Sequence, residues 1–146
     1  MPAGFILGEW LNHSRRTPRR MNLQTLADTY LRQYTDKCDE DLWAYDQVHS
    51  IIQNHPDEGW EITLLLLQKA GSDAALAYIN AGPLEELLLR HGAAVIDRIE
   101  PECENNSRLQ LALSGVWGIS PGHPVFERWY GLMGKYGFAE GNRQPL

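Results

Sequence analysis

Cysteine is almost absent: Cys38 and Cys103 are the only two in 146 residues. They are too few for a disulfide framework, and neither sits in the paired spacing of a zinc site or a redox Cys-x-x-Cys motif. The expected state is two free, partly buried thiols in a reducing compartment. Long apolar runs are missing as well. The most strongly apolar, Ile62 to Leu67, is interrupted by Thr63 and bounded by Glu61 and Gln68, far short of the roughly 20 residues that span a bilayer. Phe5-Ile-Leu7 is too short for the apolar region of a secretion signal, and basic residues follow it instead of preceding it. Arg15-Arg16 leads into Thr17-Pro-Arg-Arg20, not into the apolar segment of a twin-arginine signal. The expected location is the cytoplasm, with no membrane contact.

Catalytic and metal motifs are equally scarce. His49, His55, His91 and His123 are scattered, with no His-Glu-x-x-His and no pair at metal spacing. No serine or cysteine stands in a recognisable nucleophile setting, and no glycine-rich segment has the phosphate-loop form. The acidic run Thr35–Asp41 lacks the alternating ligands and central glycine of a calcium loop. The sequence therefore offers no catalytic residue, no metal ligand set and no cofactor.

Positive charge is confined to one end. Residues 1–20 carry Arg15, Arg16, Arg19 and Arg20 against Glu9, and residues 21–146 carry nine Lys and Arg against eighteen Asp and Glu. An acidic body repels phosphate backbones, so nucleic acid is an expected partner only through the four arginines. It attracts a basic protein. Residues 1–20 are expected to be a basic, disordered extension, with Met21 as the true start; a functional basic arm is the competing reading. Residues 21–136 are expected to be a single helical domain and residues 137–146 a frayed tail.

What the chain does contain is helical periodicity. Leu23, Leu26, Ala27, Tyr30, Leu31 and Tyr34 repeat every three or four residues, which places them on one buried face. A second helix is expected over about Asp41–Gln53, ended by Asn54-His55-Pro56 because the residue before a proline leaves the helical region. A third begins at Pro56 with Asp57 and Glu58 in its first turn and carries Trp60 and Ile62–Leu67. Apolar nearly all round, it should be the central helix, ended by Gly71. Ser72 is the expected N-cap of a fourth. Gly82 in the left-handed conformation and Pro83 at a first position predict a break between two helices. Glu85 and Glu86 would open the second of them, and Arg90 and His91 would close it before Gly92. A further helix follows to about Glu104, then one capped by Ser107, and a last over Val125–Met133 after the breaker-rich loop Gly118–Pro124. No segment alternates with the two-residue period of a strand. The fold class is all-α: about seven to eight short helices packed as antiparallel hairpins, with HEAT-like stacking as an alternative layout.

Several of these segments resemble a family of small bacterial proteins catalogued only as a domain of unknown function. The residues that carry the likeness are Trp43-Ala-Tyr-Asp-Gln-Val48, Pro56-Asp-Glu-Gly-Trp60, Ala75 through Leu88 with His91-Gly92, and Ala112-Leu-Ser-Gly-Val-Trp117. The likeness covers roughly residues 22–120. It implies a helical fold and brings no activity and no catalytic residues.

Two candidate sites remain. Trp117, His123, Trp129 and Tyr130 surround the Gly118–Pro124 loop, and exposed Trp and Tyr are the residues of which binding hot spots are made. They make this loop the expected binding edge of a non-enzymatic protein-binding domain, in one specific form an immunity or antitoxin-like protein that masks a basic partner. The alternative is an enzyme or small-ligand binder with a site between helical hairpins near Glu85, Glu86 and His91. At 100° per residue, His91 shares a helix face with neither glutamate. Complementary end charges account for all three. Asp97 and Glu100 are expected to pair locally, with Arg98 or a neighbour.

Overall fold

The computed structural model describes residues 19–136. The path is α1 (Arg19–Asp36), a tight 3-10 turn (Asp39–Asp41), α2 (Leu42–Asn54), α3 (Pro56–Lys69), α4 (Asp73–Ile79), a π turn (Asn80–Leu84), α5 (Glu85–Cys103), α6 (Ser107–Ser114) and α7 (Phe126–Lys135). No strand occurs among the described residues, and the fold is all-α. Helical structure, kinked at His91, runs from Asp73 to Cys103. Taken as one path, that stretch brings the total among the described residues to six helices, slightly fewer than the sequence suggests. The expected extension 1–20 and tail 137–146 fall outside the described residues, apart from the start of α1 and its first two arginines.

Most helix ends follow local chemistry. Pro56 stands at the start of α3, with Asp57 and Glu58 in its first turn and Lys69 in its last. Ser72 caps α4 by accepting a hydrogen bond from the Ala75 amide at 3.1 Å. Two ends differ by a residue. Asn106, not Ser107, caps α6, its carboxamide oxygen accepting from the Leu109 amide at 3.0 Å; an asparagine serves this role as well as a serine. Ala70 ends α3 in an extended conformation, one residue before Gly71.

The expected break at Gly82-Pro83 is corrected by the structure. Gly82 is not left-handed, and the chain passes through a single widened turn instead of ending and restarting. A proline inside an α-helix lacks its donor and crowds the carbonyl four residues back. Here the Glu85 amide donates to the Asn80 carbonyl, five residues back, and the wider turn accommodates Pro83 without ending the helix. Such π turns are short and rare, and many lie at functional sites. The expected stop before Gly92 has a counterpart: His91 leaves the helical region (φ −133°, ψ 22°), and α5 is two helical segments that meet at this kink, the second running to Cys103.

Helix α3 is the hub, in contact with α1, α2, α4, α5 and α6. Ile62 and Leu66 are fully buried on it, with Leu67 and Trp60 nearly so. They meet Leu23 and Leu26 of α1, Ile52 of α2 and Leu87 and Leu88 of α5 in one core. Each such buried side chain contributes about 1.5–3 kcal/mol. The C-terminal end of α3 is closed from a distance. The Arg108 guanidinium on α6 donates from Nε to the Leu67 carbonyl at 2.6 Å and from Nη2 to the Ala70 carbonyl. It thereby satisfies acceptors that a helix end leaves open.

Candidate functional site

The π turn sends its neighbours in two directions. Glu85, the first residue after it, points toward the loop between α6 and α7. Its Oε1 accepts from the backbone amides of Trp117 at 3.3 Å and Gly118 at 3.1 Å. A Cβ on residue 118 would stand 2.7 Å from Glu85 Oε2, so a larger residue there would have to displace the end of the Glu85 side chain. Two further contacts hold the same loop. The Val125 amide can only donate, so His123 Nδ1 accepts from it at 3.1 Å. The ring hydrogen is then on Nε2, which donates to the Leu89 carbonyl at 2.8 Å. Val125 packs against Gly92 at the His91 bend, where a Cβ on residue 92 would lie 2.6 Å from the Val125 Cβ.

The expected binding edge therefore divides. Trp117 is about half exposed, and Tyr130 is exposed while stacking on Phe126 at 5.5 Å. His123 works as an anchor for the loop. Trp129 is buried, with Nε1 donating to the Leu113 carbonyl at 3.3 Å; it holds α7 to α6 and presents nothing to a partner.

Glu85, Glu86 and His91 diverge. His91 Nε2 lies 3.1 Å from the Gln53 carbonyl in the last turn of α2, where helix carbonyls lack intrahelical donors. Glu86 takes the opposite side from Glu85. Its Oε2 accepts from Arg90 Nε at 3.0 Å. Its Oε1 is buried 2.8 Å from His49 Nδ1, an approach without hydrogen-bond geometry. From His49 a ladder of rings runs through Tyr45 (centroids 4.7 Å apart), Tyr30 (6.2 Å), Tyr78 (5.7 Å) and Tyr34 (4.4 Å). Burial, and then the neighbouring Tyr78 phenol, hold the Tyr30 hydroxyl far above the usual tyrosine pKa, so it stays neutral. This grouping of residues from α1, α2, α4 and α5 was not visible in the sequence. Aromatic content was the only hint, since the four tyrosines share no local motif.

The acidic residues also find distant partners. Arg128 on α7 binds Asp97 at 2.7 Å and Glu100 at 2.5 Å, which replaces the expected local pairing. Arg98 reaches Asp57 at 2.9 Å. Asp41, expected at the start of the second helix, is buried and receives a two-pronged bond from Arg32 at 2.8 and 3.0 Å. Among the described residues, no three His, Cys, Asp or Glu side chains gather as metal ligands. None of the described helices is long and apolar enough to cross a membrane.

A family model described as a family of unknown function (DUF6869) matches residues 32–131. The chain belongs to that family. The DUF6869 match takes in Tyr45, His49, the π turn, Glu85, Glu86 and the loop through Val125, and it ends within α7. Tyr30 precedes it. No curated protein and no solved structure matches the chain.

Proposed function

We propose that this chain is a non-enzymatic protein-binding domain that presents Trp117 to a basic partner. One observation carries the reading: a half-exposed tryptophan stands on a loop whose backbone is tied to α5 through Glu85. A loop whose backbone is held before binding loses less conformational freedom on association, and tryptophan is a favoured hot-spot residue. The excess of carboxylates over residues 21–146 would speed encounter with a cationic surface. An immunity or antitoxin-like protein of the cytoplasm, masking a basic toxin, is the specific form that fits both features.

The test is affinity capture from the native host with the wild-type chain and with Trp117→Ala, whose side chain contributes little to the core. A stoichiometric basic protein retained by the first and lost by the second supports the reading. Equal retention by both, or no partner for either, sinks it.

A small-ligand site is the second reading, and it now centres on Glu86, His49 and Tyr45. The observation favouring it is the buried Glu86 oxygen with no hydrogen bond beside a partly exposed ring ladder. Thermal-shift screening with organic amines, repeated on Glu86→Gln, addresses it: a shift that survives the substitution would rule this site out.

A further inference from the structure

Helix α1 closes on an unusual residue. Lys37 lies in the left-handed region (φ 56°), which residues with a side chain seldom adopt, and its amide donates to the Gln33 carbonyl at 2.8 Å. Glycine or asparagine is the usual choice for such a helix end. A lysine adds what neither could supply: its ammonium lies over the Tyr34 ring, 4.6 Å from the centroid. Asp36, Asp39 and Glu40 are close by in sequence and all exposed, yet the charge rests on the ring.

Tyr34 is the last ring of the ladder that starts at His49. It packs against Tyr78 at 4.4 Å, and Tyr78 against the buried Tyr30 at 5.7 Å. Tyr34 and Tyr78 are themselves partly buried, so packing fixes the ring that meets the cation. The face of an aromatic ring is the negative part of its quadrupole and attracts an ammonium within about 6 Å of the centroid. At an exposed position this attraction is modest, so one ammonium exchanges readily for another. The body of the chain favours such an exchange, because residues 21–146 carry eighteen Asp and Glu against nine Lys and Arg and draw cationic surfaces toward them.

We propose that the Tyr34 face, supported by Tyr78, is a binding seat for an alkylammonium group, that Lys37 fills it in the free chain, and that a lysine side chain of a basic partner displaces Lys37 on binding. That the incoming ammonium belongs to a protein rests on the function proposed above; the seat itself does not. Lys37 is then an internal competitor. The exchange keeps a cation on the ring and frees Lys37 to face the carboxylates beside it.

Nuclear magnetic resonance of the full chain with isotope-labelled tyrosine rings, titrated with butylammonium, tests the seat. The Tyr34 and Tyr78 signals should shift saturably. Lys37→Gly suits the left-handed turn and removes the competitor, so it should bind about two- to fivefold more tightly, as the loss of one exposed cation–π contact implies. Lys135→Ala removes the same charge from α7 and should leave the affinity at its wild-type value. Butanol, the uncharged counterpart, should give no saturable shift. Tyr34→Leu should abolish the response at Tyr78, and Tyr34→Phe, which keeps the ring, should retain it; a fold disturbed in Tyr34→Leu leaves the Lys37→Gly comparison as the deciding one. No saturation in Lys37→Gly, equal affinity in Lys37→Gly and the wild type, or an equal response to butanol overturns the proposal. N-acetyl-lysine methylamide carries the same ammonium on a backbone and should match butylammonium. If it fails where butylammonium binds, the seat belongs to a small free amine and displacement by a protein lysine is overturned. These titrations use no partner, so their failure is distinct from a failed capture with Trp117→Ala.

Discussion

Glu85 Oε1 lies 3.1 Å from the Gly118 amide nitrogen, across 33 residues of sequence. With the Trp117 amide bound to the same oxygen, one carboxylate sets the backbone of the loop that carries the exposed tryptophan. Glu85 sits where it does because the π turn delays it by one residue relative to an uninterrupted helix.

Removal of that carboxylate should loosen the loop without unfolding the core. Glu85→Ala is expected to cost about 1 kcal/mol in urea unfolding, near the usual net worth of a hydrogen bond, since the contact is exposed. Exchange at the Trp117 and Gly118 amides should rise at the same time. Glu85→Gln keeps an acceptor and should lose less. Unchanged amide exchange in Glu85→Ala would show that the contact does not order the loop.

Gly92 tests the other fastening. A methyl group there meets the Val125 side chain at 2.6–3.0 Å, so Gly92→Ala should destabilise by about 1–3 kcal/mol through overpacking. Val125→Gly removes both opposing methyl groups and the Cβ that stands at 2.6 Å. The double variant should be clearly more stable than the two single losses summed. Simple additivity in thermal unfolding would mean that the two positions do not press on each other.

Asp41 should make stability depend on acid. Its hydrogen bonds to Arg32 hold its carboxyl below the ordinary value of 3.8, against the opposing effect of burial. A carboxyl with a lowered folded pKa contributes its full share above the unfolded value and loses it as pH falls through the folded one. Unfolding free energy of the wild-type chain should therefore drop below about pH 4 more steeply than that of Asp41→Asn. Parallel curves for the two proteins in urea titrations from neutral pH downward would refute the role.

The two thiols should differ in reactivity. Burial pushes Cys103 up to about 11, and its side chain is fully enclosed, so little thiolate forms. Cys38 is only partly buried, in the turn before α2. Under native conditions a thiol reagent should label Cys38 alone, and Cys103 only after unfolding, as mass spectrometry of the labelled fragments would show. Prompt native labelling of Cys103 would contradict its enclosure.

Much of the fold was legible because helix boundaries are local. Pro56 with Asp57 and Glu58, and Ser72 beside Asp73, mark their helix starts through groups a few residues apart. The three- and four-residue spacing of Leu23, Leu26, Ala27 and Tyr30 marks a buried face without reference to any partner. The same local logic misled at Gly82-Pro83. Glycine and proline favour a break when considered alone, yet Asn80, Pro83 and Leu84 are buried, and the packing around them keeps the helix continuous in a wider turn.

The sequence by itself determined that this protein is helical, acidic and rich in aromatic residues, because periodicity, charge and composition depend only on neighbours along the chain. Tertiary structure decided the pairings: Glu85 with the Trp117–Gly118 backbone, His123 with the Leu89 carbonyl, Arg128 with Asp97 and Glu100, Arg108 with the end of α3. Spacing along a helix sets the angle at which a side chain leaves it. Which group waits at that angle depends on how the helices pack, and that follows from burying all their apolar faces at once.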